Sequence, residues 1–277
     1  MRHALLVALL LSTPAWSQEG GVKMEPKYAP GDKAAVATES TIDLEISSKD
    51  GEAEKHRALS TSRQESFTQE VAEVASGRPR LLRIKCTKAT IRKSGSNLSP
   101  VELTGAMEGQ TYQVTPSDSS PVKTLTGDPA PVEAEMLGSW EELVRLLPGD
   151  AKKIGDSWTI DAKDAGAAVW MANLAGTAGT LQCSLTNHEG SKATISFKGS
   201  VTGTTRENFK VALELSGEYV FDTATGKSVS YTASGSLQME KKVTERIQKP
   251  DSYDAEIVEI GWISVKSKEL KAKVTFQ

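Results

Sequence analysis

Apolar and polar residues alternate strictly along much of the second half of the chain. Ala193, Ile195, Phe197 and Val201 alternate with Thr194, Ser196, Lys198 and Ser200. Val211, Leu213, Leu215, Tyr219 and Phe221 alternate with Glu214, Ser216, Glu218 and Asp222. Val229, Tyr231, Ala233, Leu237 and Met239 alternate with Ser230, Thr232, Ser234, Gln238 and Glu240. Period two predicts antiparallel strands with one face buried and one in water. No proline occurs from Gly149 to Lys249, so every interior N–H is free to donate to a ladder. Asn187-His188-Glu189-Gly190 and Thr223-Ala224-Thr225-Gly226 read as the turns, with Gly226 supplying a positive φ. Gly199, Gly217 and Gly235 share the apolar parity and predict a curved sheet. Ala255 to Phe276 reads as one long strand, or two interrupted near Lys266–Lys268.

The first half carries weaker strand patterns. Ala34 to Ile46, Arg57 to Val74 and Leu81 to Arg92 are the three long ones, with helix the runner-up for Glu65–Ala75. Val101–Thr104 and Thr111–Thr115 read as a short pair around Glu108-Gly109, and Ser157–Asp161 as a short strand. Ala165–Ala178 is small and apolar, a short helix or a Gly-rich loop. One helical stripe stands out in Glu133–Leu147. Met136, Leu137, Trp140, Leu143, Val144 and Leu147 recur at spacings of three and four, and Pro148-Gly149 ends the run. The fold expected is mainly β: a coiled antiparallel sheet, half-barrel or sandwich-like, with one or two packed helices. The expected order is a lead-in (18–30), an N-terminal β half (31–115), a proline-rich connection (116–131), and a helix with a C-terminal β half (132–277). A Gly-Asp pair opens each half, at 31–32 and 155–156, a weak internal echo.

Residues 1–17, MRHALLVALLLSTPAWS, do not belong to that pattern. A short polar head, an apolar run from Ala4 to Leu11, and Ala15 and Ser17 at an A-x-S site have the layout of a secretory signal peptide. The run is too short to span a bilayer, which needs about 20 apolar residues. A soluble chain starting near Gln18 is therefore expected in the periplasm or the medium.

Composition narrows the function by exclusion. The 277 residues hold 33 Lys+Arg against 36 Asp+Glu, a formal net charge of −3, which disfavours a nucleic-acid binder. Aromatics make up 5% and do not cluster, which disfavours a stacking platform for bases or sugars. The two cysteines, Cys86 and Cys183, both have the apolar parity of their strands. They read either as one core disulfide, permitted by export, or as two separate buried thiols. His56 and His188 lie beside turn sequences and read as surface residues. No H-E-x-x-H, C-x-x-C, G-x-S-x-G, Walker A or dinucleotide fingerprint occurs. No catalytic residue, metal site or cofactor is expected.

Leu146-Leu147-Pro148, then Ile154-Gly155-Asp156-Ser157-Trp158, then Gly217-Glu218-Tyr219-Val220-Phe221-Asp222 to Gly226, resemble motifs of an uncharacterised exported bacterial β-rich family, a domain of unknown function. The resemblance covers about 146–235. It implies a helix leading into a sheet, and no activity. In plan alone the pattern is also similar to the periplasmic lipoprotein-carrier half-barrels, which lay helices over a coiled sheet; that similarity is analogy.

Three functions follow from these readings. The first is an exported, non-catalytic binding or carrier protein for a hydrophobic ligand, with Met136, Trp140, Leu143 and Val144 as the groove or lid. The second is an envelope structural module whose partner is another protein. The third is an exported enzyme without a recognisable motif.

Overall fold

The computed structural model describes residues 20–50, 53–115, 122–124, 137, 139–165, 174–248 and 255–277. The leader, most of the proline-rich stretch, Met136 and Trp170 lie outside them.

Among the described residues, twelve strands follow one another along the chain. They are β1 (Lys33–Asp50), β2 (Ala53–Ala75), β3 (Arg78–Gly95), β4 (Leu98–Thr104), β5 (Thr111–Val114), β6 (Val122–Thr124), β7 (Ser157–Asp161), β8 (Ala175–Glu189), β9 (Lys192–Thr204), β10 (Lys210–Asp222), β11 (Lys227–Gln248) and β12 (Ala255–Phe276). A 3₁₀ helix at Ser139–Leu146 and a short α turn, α1 (Ala162–Ala165), interrupt them. All strands join one antiparallel sheet in the order β6-β5-β3-β2-β1-β12-β11-β10-β9-β8-β7, with β4 also on β3.

The two runs of hairpins, β1–β3 and β7–β12, meet where β1 pairs with β12, from Val36–Phe276 to Asp50–Gly261. The strands of the two sequence halves are thus one sheet. Alternation dictates its faces. In β10, Val211, Leu213, Leu215, Tyr219 and Phe221 are buried while Lys210, Ala212, Glu214 and Ser216 are exposed. The partners of the buried set on β9 and β11 include Val201, Ile195, Leu237 and Tyr231, which continue the apolar face sideways. At about 25 cal/mol per Å² of apolar surface, this face is the main stabilising term. Gly217 lies on it between Phe197 and Ala233, and a Cβ there would collide with the Thr232 carbonyl oxygen. Gly199 and Gly235 are crowded in the same way by Thr180 and Glu214. The strands therefore approach more closely here than side chains allow, as in a strongly coiled sheet.

The structure resolves two open alternatives and corrects other expectations. Glu65–Ala75 is strand, held by ladders to β1 and β3, because pairing on both sides outweighs the helix propensity of Glu and Ala. β4 and β5 do not pair with each other; both pair with β3, at different points along its length. β12 is one strand, with a bulge where Asp43 and Leu44 face Glu269 and Ser267. Residues 20–30 are not a free lead-in. Val22 and Lys152 exchange both backbone hydrogen bonds, Lys27 N–H donates to the Gly226 carbonyl, and Met24 is buried.

Candidate functional site

The segment expected to be the best α-helix is, over its described length, a 3₁₀ helix of eight residues. Three residues per turn places positions i, i+3 and i+6 on one edge. Leu137, Trp140, Leu143 and Leu146 obey that spacing, and all four are buried. Pro148, also buried, follows directly and ends the element. Leu146, fully buried, is absent from a stripe read at period 3.6, whereas Leu147 on that stripe is half-buried.

This segment lies across the inner face of the sheet and is fixed at both ends. At its C-terminal end, Trp158 Nε1–H donates to the Leu146 carbonyl at 3.1 Å. Arg145 pairs with Glu142 and donates to the Asp164 carbonyl at 3.2 Å. At its N-terminal end, Trp140 Nε1–H donates to Gln69 Oε1, and the Trp140 ring lies 5.2 Å from that of Phe67. Gln69 Nε2–H donates in turn to Glu141, which also accepts from the Tyr28 hydroxyl. Gln69, buried on β2, is thereby hydrogen-bonded at both its amide oxygen and its amide nitrogen. Burial pushes the Glu141 carboxyl above its ordinary range, against the lowering effect of those two donors and of Lys227. Burial and the neighbouring Glu141 raise the Tyr28 hydroxyl as well.

Beneath the segment is a pocket of about 290 Å³. Its roof is Leu137, Trp140 and Leu143; its apolar walls include Phe67, Tyr231 and Leu270. Its floor runs along β1 from Thr38 to Ile42 and along β12 from Leu270 to Val274. Arg63 and Glu65 of β2 provide its polar wall, and Thr38 Oγ1–H donates to Glu65 at 3.2 Å. Tyr231 stacks on Phe197, 5.3 Å between centroids and 9° between planes, so that wall is rigid. A second pocket of about 340 Å³ lies on the other side of the Gln69–Glu141 pair. It is lined by Tyr28, Asp32 and Lys227, with Lys227 paired to Asp32 and 4.8 Å from the centre of the Tyr28 ring.

The residues singled out in the sequence divide as follows. Trp140 and Leu143 line the first pocket; Val144 is buried but does not line it. Met136 is outside the described residues. Cys86 on β3 and Cys183 on β8 are free, buried thiols with six strands between them in the sheet, so the candidate disulfide is absent. Burial pushes Cys86 up to about 11 and Cys183 up to about 12. His56 is exposed, with Nδ1 2.9 Å from Ser47 Oγ; His188 belongs to β8 rather than to the turn after it. Among the described residues, no three His, Cys, Asp or Glu side chains gather as a metal site, and no helix is long and apolar enough to cross a membrane. Sequence reasoning missed Arg63, Glu65 and Gln69, polar residues on the inner face of β2. Their parity with Phe67 and Val71 was the available signal.

Fold and site together define a class: a coiled, all-antiparallel sheet with a ligand-sized apolar pocket under a short helical cover. No protein-family model matches the chain, and no curated protein matches it. Among solved structures it is similar to the crystal structure of a DUF1329 family protein from Desulfovibrio piger, at 8% identity over 84% of each chain. The TM-score is 0.14, and at that value the likeness bears on neither fold nor function.

Proposed function

We propose that this chain is an exported, non-catalytic binding or carrier protein whose hydrophobic ligand occupies the pocket under Trp140. The observation that carries the reading is the pocket itself. Apolar side chains on a covering element and a sheet would ordinarily close into solid core. Here about 290 Å³ remains between them, near the lower end of the range for small-molecule sites. The cover is held at both ends, by Trp140 on Gln69 and by Trp158 on the Leu146 carbonyl, which suits a preformed binding pocket. Export rests on the leader-like residues 1–17 and is read by N-terminal sequencing of the protein recovered from culture.

The test is a titration of the mature chain with monopalmitoylglycerol and with palmitate, following tryptophan fluorescence. A saturating change is expected in the native chain. In Trp140→Phe the optical change is lost while calorimetry still records binding. A flat titration with both ligands, in a protein that melts cooperatively, removes the carrier reading. It would leave the envelope interaction role ahead.

A further inference from the structure

Beyond the pocket, the sheet continues as the long hairpins β1–β2 and β11–β12, and its inner face changes character. Register places these residues in rows across four strands. The row next to the pocket is Arg63, Ser40, Ala272 and Ala233. Further out comes Arg57, Ile46, Val265 and Met239, and then Lys55, Ser48, Ile263 and Lys241. The Arg57 row is apolar in the middle, the next pairs Ser48 with Ile263, and both are cationic on a flank. The last has a lysine at both ends. Lys93 of β3 joins the same face opposite Thr61. Ile46, Val265 and Ile263 are only half-buried, so the stripe they form is open to a ligand.

The charge on this face is one-sided. Among the described side chains it holds Lys55, Arg57, Arg63, Lys93 and Lys241 against Glu65 alone, five cations less one acid, or +4. On the outer face of the same strands acids and cations meet at several ladder positions, although Asp43 faces Glu269. Lys49 faces Glu54, Glu45 faces Lys266 and Glu39 faces Lys273. Lys242 meets Glu259 at 2.7 Å, and Arg92 meets Glu102 at 2.6 Å. Among the described side chains, a chain with a formal net charge of −3 thus gathers a surplus of positive charge on an open apolar face. A concave, low-dielectric surface of one sign concentrates ligands of the other.

We infer that the ligand is an anionic amphiphile, bound as a monomer, with its acyl chain running from the Trp140 pocket along the β1/β12 stripe and its acidic head between Lys55, Arg57 and Lys241. This rests on the carrier reading and adds the class of ligand. Chain direction follows from the order of residues. The apolar pocket is at one end, and Arg57 lies six residues beyond Arg63 on β2, about 20 Å at the rise of a strand. That span suits one extended long acyl chain. The pinned cover agrees, because a ligand entering along the open stripe requires no movement of the 3₁₀ segment.

Calorimetry of the full mature chain with palmitate, monopalmitoylglycerol and hexadecyltrimethylammonium tests this. The three probes share the chain and differ in the sign of the head. Palmitate is expected to bind about tenfold tighter than the neutral glyceride, and the cationic amphiphile weakest, with the preference shrinking in high salt. Arg57→Gln with Lys241→Gln should bring palmitate to the affinity of the glyceride. Arg57 is exposed and Lys241 half-buried, so the fold should survive; a thermal melt checks it. Equal affinities for palmitate and glyceride in the native chain would overturn the inference and leave the carrier reading standing. Binding of neither would remove both. Flotation with anionic phospholipid vesicles, without saturable palmitate binding, would assign the cationic face to a membrane surface and also overturn it.

Discussion

Glu141 shows what single residues contribute to this site. Its carboxyl is withdrawn from water between Gln69 and Tyr28, and these two donors hold it there. Desolvation prevails over those donors, so the folded chain retains the proton to higher pH than the unfolded chain does. Stability from this residue is therefore fully present below the ordinary carboxylate value, about 4.3, and is lost as pH rises from there through the raised value. Glu141→Gln keeps an acceptor for Gln69 and Tyr28 and removes the charge. Melting temperatures measured from pH 4 to 8 should match the native chain at the acid end and exceed it at pH 7. Parallel curves across that range would show that burial of the carboxylate costs nothing. Cys86 and Cys183 make a related point: their parity placed both in the core, yet parity says nothing of how many strands lie between two residues.

At the scale of elements, the strands were legible and the cover was misread. Period-two alternation located β9, β10 and the first part of β11 because one face of each is buried and the other wet. In Glu133–Leu147, spacings of three and four fit an α-helix, but Leu137, Trp140, Leu143 and Leu146 also fit a period of three. Packing against the sheet selected the second. The inward glycines belong to this scale, since they let neighbouring strands close up and the sheet coil. Gly217→Ala places a methyl group against the Thr232 carbonyl and the Phe197 ring. It is expected to cost about 1–3 kcal/mol, the usual range for overpacking, in a denaturant titration. A loss below about 0.5 kcal/mol would show that the sheet can relax there, and that the glycine is not what sets its curvature.

On the scale of the whole molecule, the pairing of β1 with β12 is decisive. It brings the first and last strands together and turns two runs of hairpins into one sheet with one inner face. The apolar core runs across that junction, from Phe67 and Val36 to Val274 and Tyr231. The described strands should therefore unfold together. Calorimetric and van't Hoff enthalpies are expected to agree, and two resolved transitions would show that the halves are independent. The strand class, the buried parity and the turn at Gly226 were legible along the chain, because local periodicity encodes which side of an element avoids water. The β1–β12 junction, the pocket under Trp140, and the placing of Arg63, Arg57 and Lys241 on one face all come from long-range pairing. These join residues as many as 240 positions apart along the chain, as in the Val36–Phe276 pair. No local pattern records which distant strands share a ladder, and that choice sets what the inner face encloses.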